Sequence, residues 1–368
     1  MNKGLFIIIP FFVLLMQTLY PQQNNPSNGK IVKIGLLVNS SNSIAAQNAA
    51  ELAVQIANKS DDLNGWQFNV ITRSMEGPWG TGSKEAVNLV FNENVWAILG
   101  SHDGRNAHLV EQVIAKTKVV HVSAWASDPT LSQAYVPWFY NCVPNDIQQA
   151  EVLINGIVKK EKFNKIALIV QESYDAKKAL KYMKEQIQAV CNHNPYVSSF
   201  IFNLNSTEEA VKEFRNKAIE AIIILGNQEQ SWELLGLLRK NGLKLPVFGT
   251  ISMLGALELR EIEHRNPLNL TVPNSGDWMK WNTLDSRKRI DRSSSISNAI
   301  GAYTFDGINV LINAIKSSGF DRDRFYGTIS KTNYNGITDN IQFDKNGNRL
   351  SDMNLVKILD EDSPFLKK

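Results

Sequence analysis

Residues 95–123, VWAILGSHDGRNAHLVEQVIAKTKVVHVS, carry the reading that decides the fold. Val95 to Leu99 is an unbroken apolar run of strand length, and Val119 to Ser123 (VVHVS) reads as a second strand. Between them Val110 and Val113 share one face of a helix, which opens after the loop Gly100-Ser-His-Asp-Gly104. Strand, helix and strand in that order imply parallel sheet with helices covering its faces.

The same rhythm extends outward in both directions. Upstream, Lys30 to Val38 (KIVKIGLLV) is a strand ending in the turn-prone Asn39 to Asn42. Ala49, Leu52, Ala53 and Ile56 then recur at helical spacing, Asn64-Gly65 turns, and Gln67 to Met75 is a strand. Ala86, Leu89 and Val90 mark the next helix. The alternation restarts after Pro144: strands at Ile166 to Val170, Val197 to Leu204, Ala221 to Leu225 and Val247 to Gly249 are separated by helical stripes through Ile157, Met183, Phe214 and Leu235. From about Leu270 to Ser293 the pattern lapses into a polar, Trp-bearing stretch. A long helix follows through Ile296, Tyr303, Val310 and Ile315, and short strands close the chain near Ile341 to Phe343 and Leu355 to Leu359. Two such blocks imply two doubly wound, Rossmann-like α/β lobes.

Composition agrees with a chain of two domains. Its 368 residues suit two units of roughly 150. With 43% hydrophobic and 20% charged residues and a net charge of +3, acids and bases are interspersed, without the basic stripe of a nucleic-acid footprint. No nucleic-acid partner is expected. Lys3 followed by the apolar Leu5 to Leu15, broken by Pro10, is too short to span a membrane and fits an export signal over residues 1–22. The two cysteines, Cys142 and Cys191, form no metal motif, and separate buried thiols are the expectation.

Several motifs fail their chemistry. Gly77 to Lys84 (GPWGTGSK) sits where a phosphate loop would, but its Gly82-Ser83-Lys84 order puts lysine and hydroxyl out of place. Ser101-His102-Asp103 are consecutive and cannot adopt the geometry of a catalytic triad, which converges from separate loops. His102, His108 and His121 lack the spacing of a helical zinc site, and Asp344 to Asn348 reads as a β-turn rather than a calcium loop. No catalytic residue, metal site or cofactor is expected.

The ordered segments IVKIGLLV, AAELAVQIAN, VWAILGS, VVHVSAWASDPTLS, FYNCVPND, AYTFDGINVLINAI and GITDNIQFDKNGNR resemble the type I periplasmic binding proteins. The branch they resemble is that of the branched-chain amino acid and amide binding proteins of ABC transporters. The likeness runs from about Ile31 to Leu359. It implies two lobes joined by three hinge crossovers near Cys142-Val143, Val272 to Asn274 and Gly336 to Thr338. Residues 30–142 with 274–337 would form one lobe, and residues 143–273 with 338–361 the other. The long helix from Ile296 should then pack on the first sheet.

The resemblance also implies a ligand held between the lobes. A loop opening a helix presents unpaired N–H groups and is a natural seat for a carboxylate, which draws attention to Asp103, Gly104 and Arg105. Gly104 replaces the family's usual serine, so only its N–H can serve there. Ser127 falls at a family Ser/Thr position, with a helix cap as its bland alternative, and Trp125 stands where the family has a small residue. Tyr174 matches a cleft tyrosine, while Asn42, Asn227 and Gln228 lie in neighbouring cleft loops. Ile251 stands where amino-acid binders place an acid for the ammonium. Either Asp103, Glu76 or Glu229 substitutes, or the ligand is not a free α-amino acid. Trp125, Trp278 and Trp281 lean toward a flat or apolar ligand, and core or hinge packing accounts for them nearly as well.

The function implied is an extracytoplasmic, periplasmic solute-binding protein. It would act as a monomer, close on a small polar ligand (an amino acid, amide or small carboxylate) and deliver it to a membrane ABC permease. The alternative is a ligand-sensing subunit that signals to a membrane receptor. A hydrolase on the same scaffold is the weakest reading, because no nucleophile–base set is legible.

Overall fold

The computed structural model describes residues 30–191, 197–201, 207–256, 269–279, 296 and 298–358. The signal segment and Trp281 lie outside these residues.

The first sheet contains β1 (Lys30–Val38), β2 (Trp66–Ser74), β3 (Ala97–Ser101), β4 (Val120–Ser123) and β5 (Phe139–Asn141). All pairings are parallel, in the order β2-β1-β3-β4-β5. Successive side chains of a strand point to opposite faces, so Leu36 and Val38 enter one core and Leu37 the other. Because both faces are apolar, both must be covered. α1 (Ile44–Asn58) covers one; α2 (Thr81–Phe91) and α3 (Gly104–Thr117) cover the other. A short α4 (Thr130–Gln133) leads toward β5.

The chain then enters the second sheet through α5 (Asp146–Ile154), whose start carries a reciprocal capping box of Asn145 and Gln148. This sheet contains β6 (Ile166–Val170), β7 (Val197–Ile201), β8 (Ala221–Leu225), β9 (Val247–Gly249) and β10 (Leu270–Asn274). α6 (Tyr174–Val190), α7 (Thr207–Asn216) and α8 (Gln228–Lys240) connect them. The polar lapse expected from Leu270 onward is corrected at its start, since all five residues of β10 are buried.

α9 (Ala299–Ser317) returns to the first sheet, lying along α1 and over β3 and β4. Gly307 permits that close approach, because a Cβ there would stand 2.6 Å from Leu99 Cδ1. α10 (Arg322–Ile329) precedes a small antiparallel sheet of β11 (Asn333–Gly336), β12 (Asp339–Phe343) and β13 (Arg349–Leu350). The last strand, β14 (Asn354–Ile358), pairs antiparallel with β10 and completes the order β14-β10-β9-β8-β6-β7.

The chain therefore passes between the sheets after β5, after β10 and again before β14, and these passages are knotted together. Buried Arg349 donates to the Cys142 carbonyl at 2.8 Å, to Thr338 Oγ1 at 2.9 Å and to the Thr338 carbonyl. The Asp306 carboxylate accepts from the Ile337 and Thr338 amides at 3.0 and 2.7 Å. Gly276, on the second passage with φ +69°, lies so close to the last that a Cβ would stand 2.4 Å from the Asp339 nitrogen.

Candidate ligand cleft

The loops after β3 and β4 in the first lobe face the start of α6 in the second. Asp103 is the N-cap of α3, and its carboxylate accepts the Asn106 amide at 2.8 Å and the Asn106 Nδ2 at 3.1 Å. Its acid is thereby committed to the helix. Gly104 is buried, and its N–H donates across the gap to Asp175 Oδ1 at 3.0 Å. Arg105 is exposed and lies over the exposed Trp79 ring, 4.3 Å from its centroid.

One step along the same wall, Asp128 forms a second link between lobes. Its Oδ2 accepts the Tyr174 hydroxyl at 2.8 Å and lies 3.2 Å from His108 Nε2 and 3.6 Å from Lys178 Nζ. Its Oδ1 accepts the Thr130 amide and hydroxyl. Burial works to raise this carboxyl, but hydrogen bonds from His108, Thr130 and Tyr174 outweigh it and hold Asp128 below the ordinary range. His108, bonded to Asp128 and then to Glu111, is raised to about 9. Burial raises the Tyr174 hydroxyl, and its bond to Asp128 adds to the effect.

Ser127 is not a helix cap here; its hydroxyl donates to Asp146 Oδ1 at 2.7 Å. Burial pushes Asp146 well above the usual carboxylate range, and Asp175 and Asp128 push in the same direction. Asp175 is raised to about 7 by burial and then by Asp103. Gly104, Ser127 and Tyr174 are thus brought to one place, joined by three carboxyls, at Asp128, Asp146 and Asp175, that the sequence reading did not single out.

The other expected positions lie around this centre. Trp125 is partly buried, its ring against Gly255, where a Cβ would stand 2.9 Å from it. Asn227 caps α8 through the Gln230 amide and donates its own N–H to Gln171 Oε1 at 2.6 Å. Gln228 is the first residue of that helix. Ile251 is buried, with its N–H bonded to Gln149 Oε1 at 2.9 Å. Asn42 is exposed in the turn after β1, and Glu76 and Glu229 are exposed too. Trp278 is buried and donates to Asn274 Oδ1 at 2.7 Å, so it packs at the second crossing. His102 and His121 lie side by side in the interior, ring centroids 5.8 Å apart, and burial lowers both. Ser101 accepts from Thr304 at 3.0 Å.

Two doubly wound α/β lobes, crossed three times by the chain and meeting at these contacts, define the fold of the type I periplasmic binding proteins. The chain belongs to the family described as the receptor family ligand binding region, whose sequence profile matches residues 45–360. Among solved structures it is similar to the branched-chain amino acid transporter substrate binding protein LivJ from Streptococcus pneumoniae, in complex with isoleucine. Identity is 17%, coverage 89% of this chain and 96% of that one, and the TM-score 0.75. It is also similar to a solute binding protein of an ABC transporter from Rhodopseudomonas palustris in complex with 3,4-dihydroxybenzoic acid. There identity is 15%, coverage 91% and 94%, and the TM-score 0.74. A curated relative, Glutamate receptor 2.2 of Arabidopsis thaliana, is 22% identical over 253 residues, 65% of this chain. The chain spans 27% of that receptor's length. Among the described residues no helix is long and apolar enough to cross a membrane.

Proposed function

We propose that this chain is an extracytoplasmic solute-binding protein, exported by residues 1–22, that closes on a small polar ligand and hands it to a membrane ABC permease. The closing bodies are residues 30–142 with 274–337 and residues 143–273 with 338–361. The observation that carries the reading is the meeting of Gly104 and Asp128 from one lobe with Asp175 and Tyr174 from the other. Side chains from both lobes at one point give a ligand there the means to couple binding to closure. No acid stands at position 251, so a ligand ammonium would find its partner at Asp146 or Asp175 instead.

A thermal-shift screen of amino acids, amides, amines and small carboxylates tests this. A ligand at 100 times its Kd adds about 2.7 kcal/mol to stability. Ser127→Ala and Tyr174→Phe should each weaken the responding ligand about ten- to a hundredfold. If no solute in the screen raises the melting temperature, the proposal is lost.

The likeness to a plant glutamate receptor favours a second reading, in which the closed lobes signal to a membrane partner. Stimulation of a permease ATPase by the ligand-loaded protein would decide for transport.

A further inference from the structure

The anion seat of the cleft is already occupied by the protein. α3 is 14 residues long, and the first amide of that helix, on Gly104, points at the opposite lobe. Amides at such a terminus lack partners within the helix, and the positive end of its dipole lies there, so a carboxylate is the natural occupant. Asp175, from the first turn of α6, supplies one at 3.0 Å. The fit depends on glycine at 104. A Cβ there would stand 2.8 Å from Asp175 Oδ1 and 3.1 Å from Asp128 Cβ.

We infer that Asp175 is a specificity-determining residue: by filling the seat at the start of α3, it makes the cleft reject ligands that present a carboxylate there and favour amides and amines. This rests on the solute-binding reading above. The surrounding charges act in the same sense. Asp103 and Asp128 face Asp175 from the other lobe, and Glu111 stands behind His108. Of the cations nearby, His108 and Lys178 are both paired with Asp128 already, and Arg105 lies over the Trp79 ring. A ligand carboxylate would have to evict Asp175 and then sit among like charges, whereas an amide or ammonium can donate to Asp175 where it stands.

The test is titration calorimetry at about pH 8, where Asp175, raised to about 7, is largely ionised. Benzoate and isovalerate are compared with benzamide and isovaleramide, on the parent, Asp175→Ala and Asp175→Asn. Asp175→Ala empties the seat; asparagine can still accept the Gly104 N–H and keeps it filled. Asp175→Ala should shift the preference for carboxylate over amide at least about tenfold toward the carboxylates, and Asp175→Asn by clearly less. Unchanged preference in the alanine variant overturns the inference, absence of carboxylate binding by both proteins included. An equal gain in the asparagine variant overturns it as well, since charge rather than occupancy would then decide. The two readings separate in the wider screen: a parent that responds to some solute while Asp175→Ala gains nothing keeps the solute-binding function and loses only the role of Asp175.

Discussion

His108 and Asp175 are each held away from their ordinary pKa, and both make the protein less stable as the pH rises. His108 is raised from 6.5 to about 9, so the stability it contributes is complete below 6.5 and lost as the pH climbs through 9. Asp175 is raised from 3.8 to about 7; its contribution is complete below 3.8 and lost as the pH passes 7. The melting temperature of the ligand-free protein should therefore fall in two stages, from about pH 4 to 7 and from about pH 6.5 to 9. Asp175→Asn should flatten the lower stage and His108→Gln the upper. A His108→Gln variant that keeps the full upper fall would contradict the assignment. At this scale the sequence told half the story. Gly104 stood out by its place in a loop that opens a helix, and Ser127 and Tyr174 through the family resemblance; the structure brings the three together. Asp146 and Asp175 were not, because an acid in the first turn of a helix reads as a partner for the helix dipole. Only tertiary structure shows that Asp175 faces the start of a different helix, 71 residues away.

Among the elements, α3 joins the fold to the cleft, and its cap is the point to probe. Asp103→Ala removes the acceptor for the Asn106 amide and should cost about 0.5–2 kcal/mol in urea unfolding. Asp103→Asn keeps a capping oxygen and should cost much less. Affinity for an uncharged amide should be the same in the parent and in Asp103→Asn; a large loss would mean that Asp103 serves the ligand as well as the helix. The elements read correctly from sequence are those whose burial repeats plainly. Every residue of β6 and β8 is buried, and their sequences IALIV and AIIIL show it. β10 escaped because its sequence, LTVPN, mixes in Thr271, Pro273 and Asn274, although its neighbours bury all of it. Pro273 is tolerated because β9 pairs only with Leu270 and Thr271, leaving no partner on that side to need the missing N–H. α10 escaped because only Phe325 and Ile329 of its eight residues are buried. The strand expected at Val95 to Leu99 begins instead at Ala97, because the Val95 N–H still belongs to the end of α2, bonded to the Leu89 carbonyl at 3.2 Å.

For the whole molecule, the decisive contacts are those that hold the crossings side by side, since a two-lobed binder works only if its lobes move about a common axis. Arg349 is the central piece. Its guanidinium reaches the Cys142 carbonyl on the first crossing and both oxygens of Thr338 on the last, from a position almost sealed from water. Asp306, on α9, gathers the Ile337 and Thr338 amides and the Thr338 hydroxyl from the other side. The Asp306 carboxyl is raised by burial, and Arg349 is among the groups that counter that rise. Arg349→Met would leave two buried carbonyls without their donor and Asp306 without its cation. Loss of one partner of such a buried set costs about 3–5 kcal/mol. Arg349→Lys should recover little, because one ammonium cannot span acceptors that a planar fork reaches in several directions. In urea unfolding both variants should therefore show a much lower midpoint with a nearly unchanged slope. Conversely, if Arg349→Met unfolds within about 1 kcal/mol of the parent, the crossings are held together by Asp306 and backbone packing at Gly276, and the arginine is not what aligns the lobes.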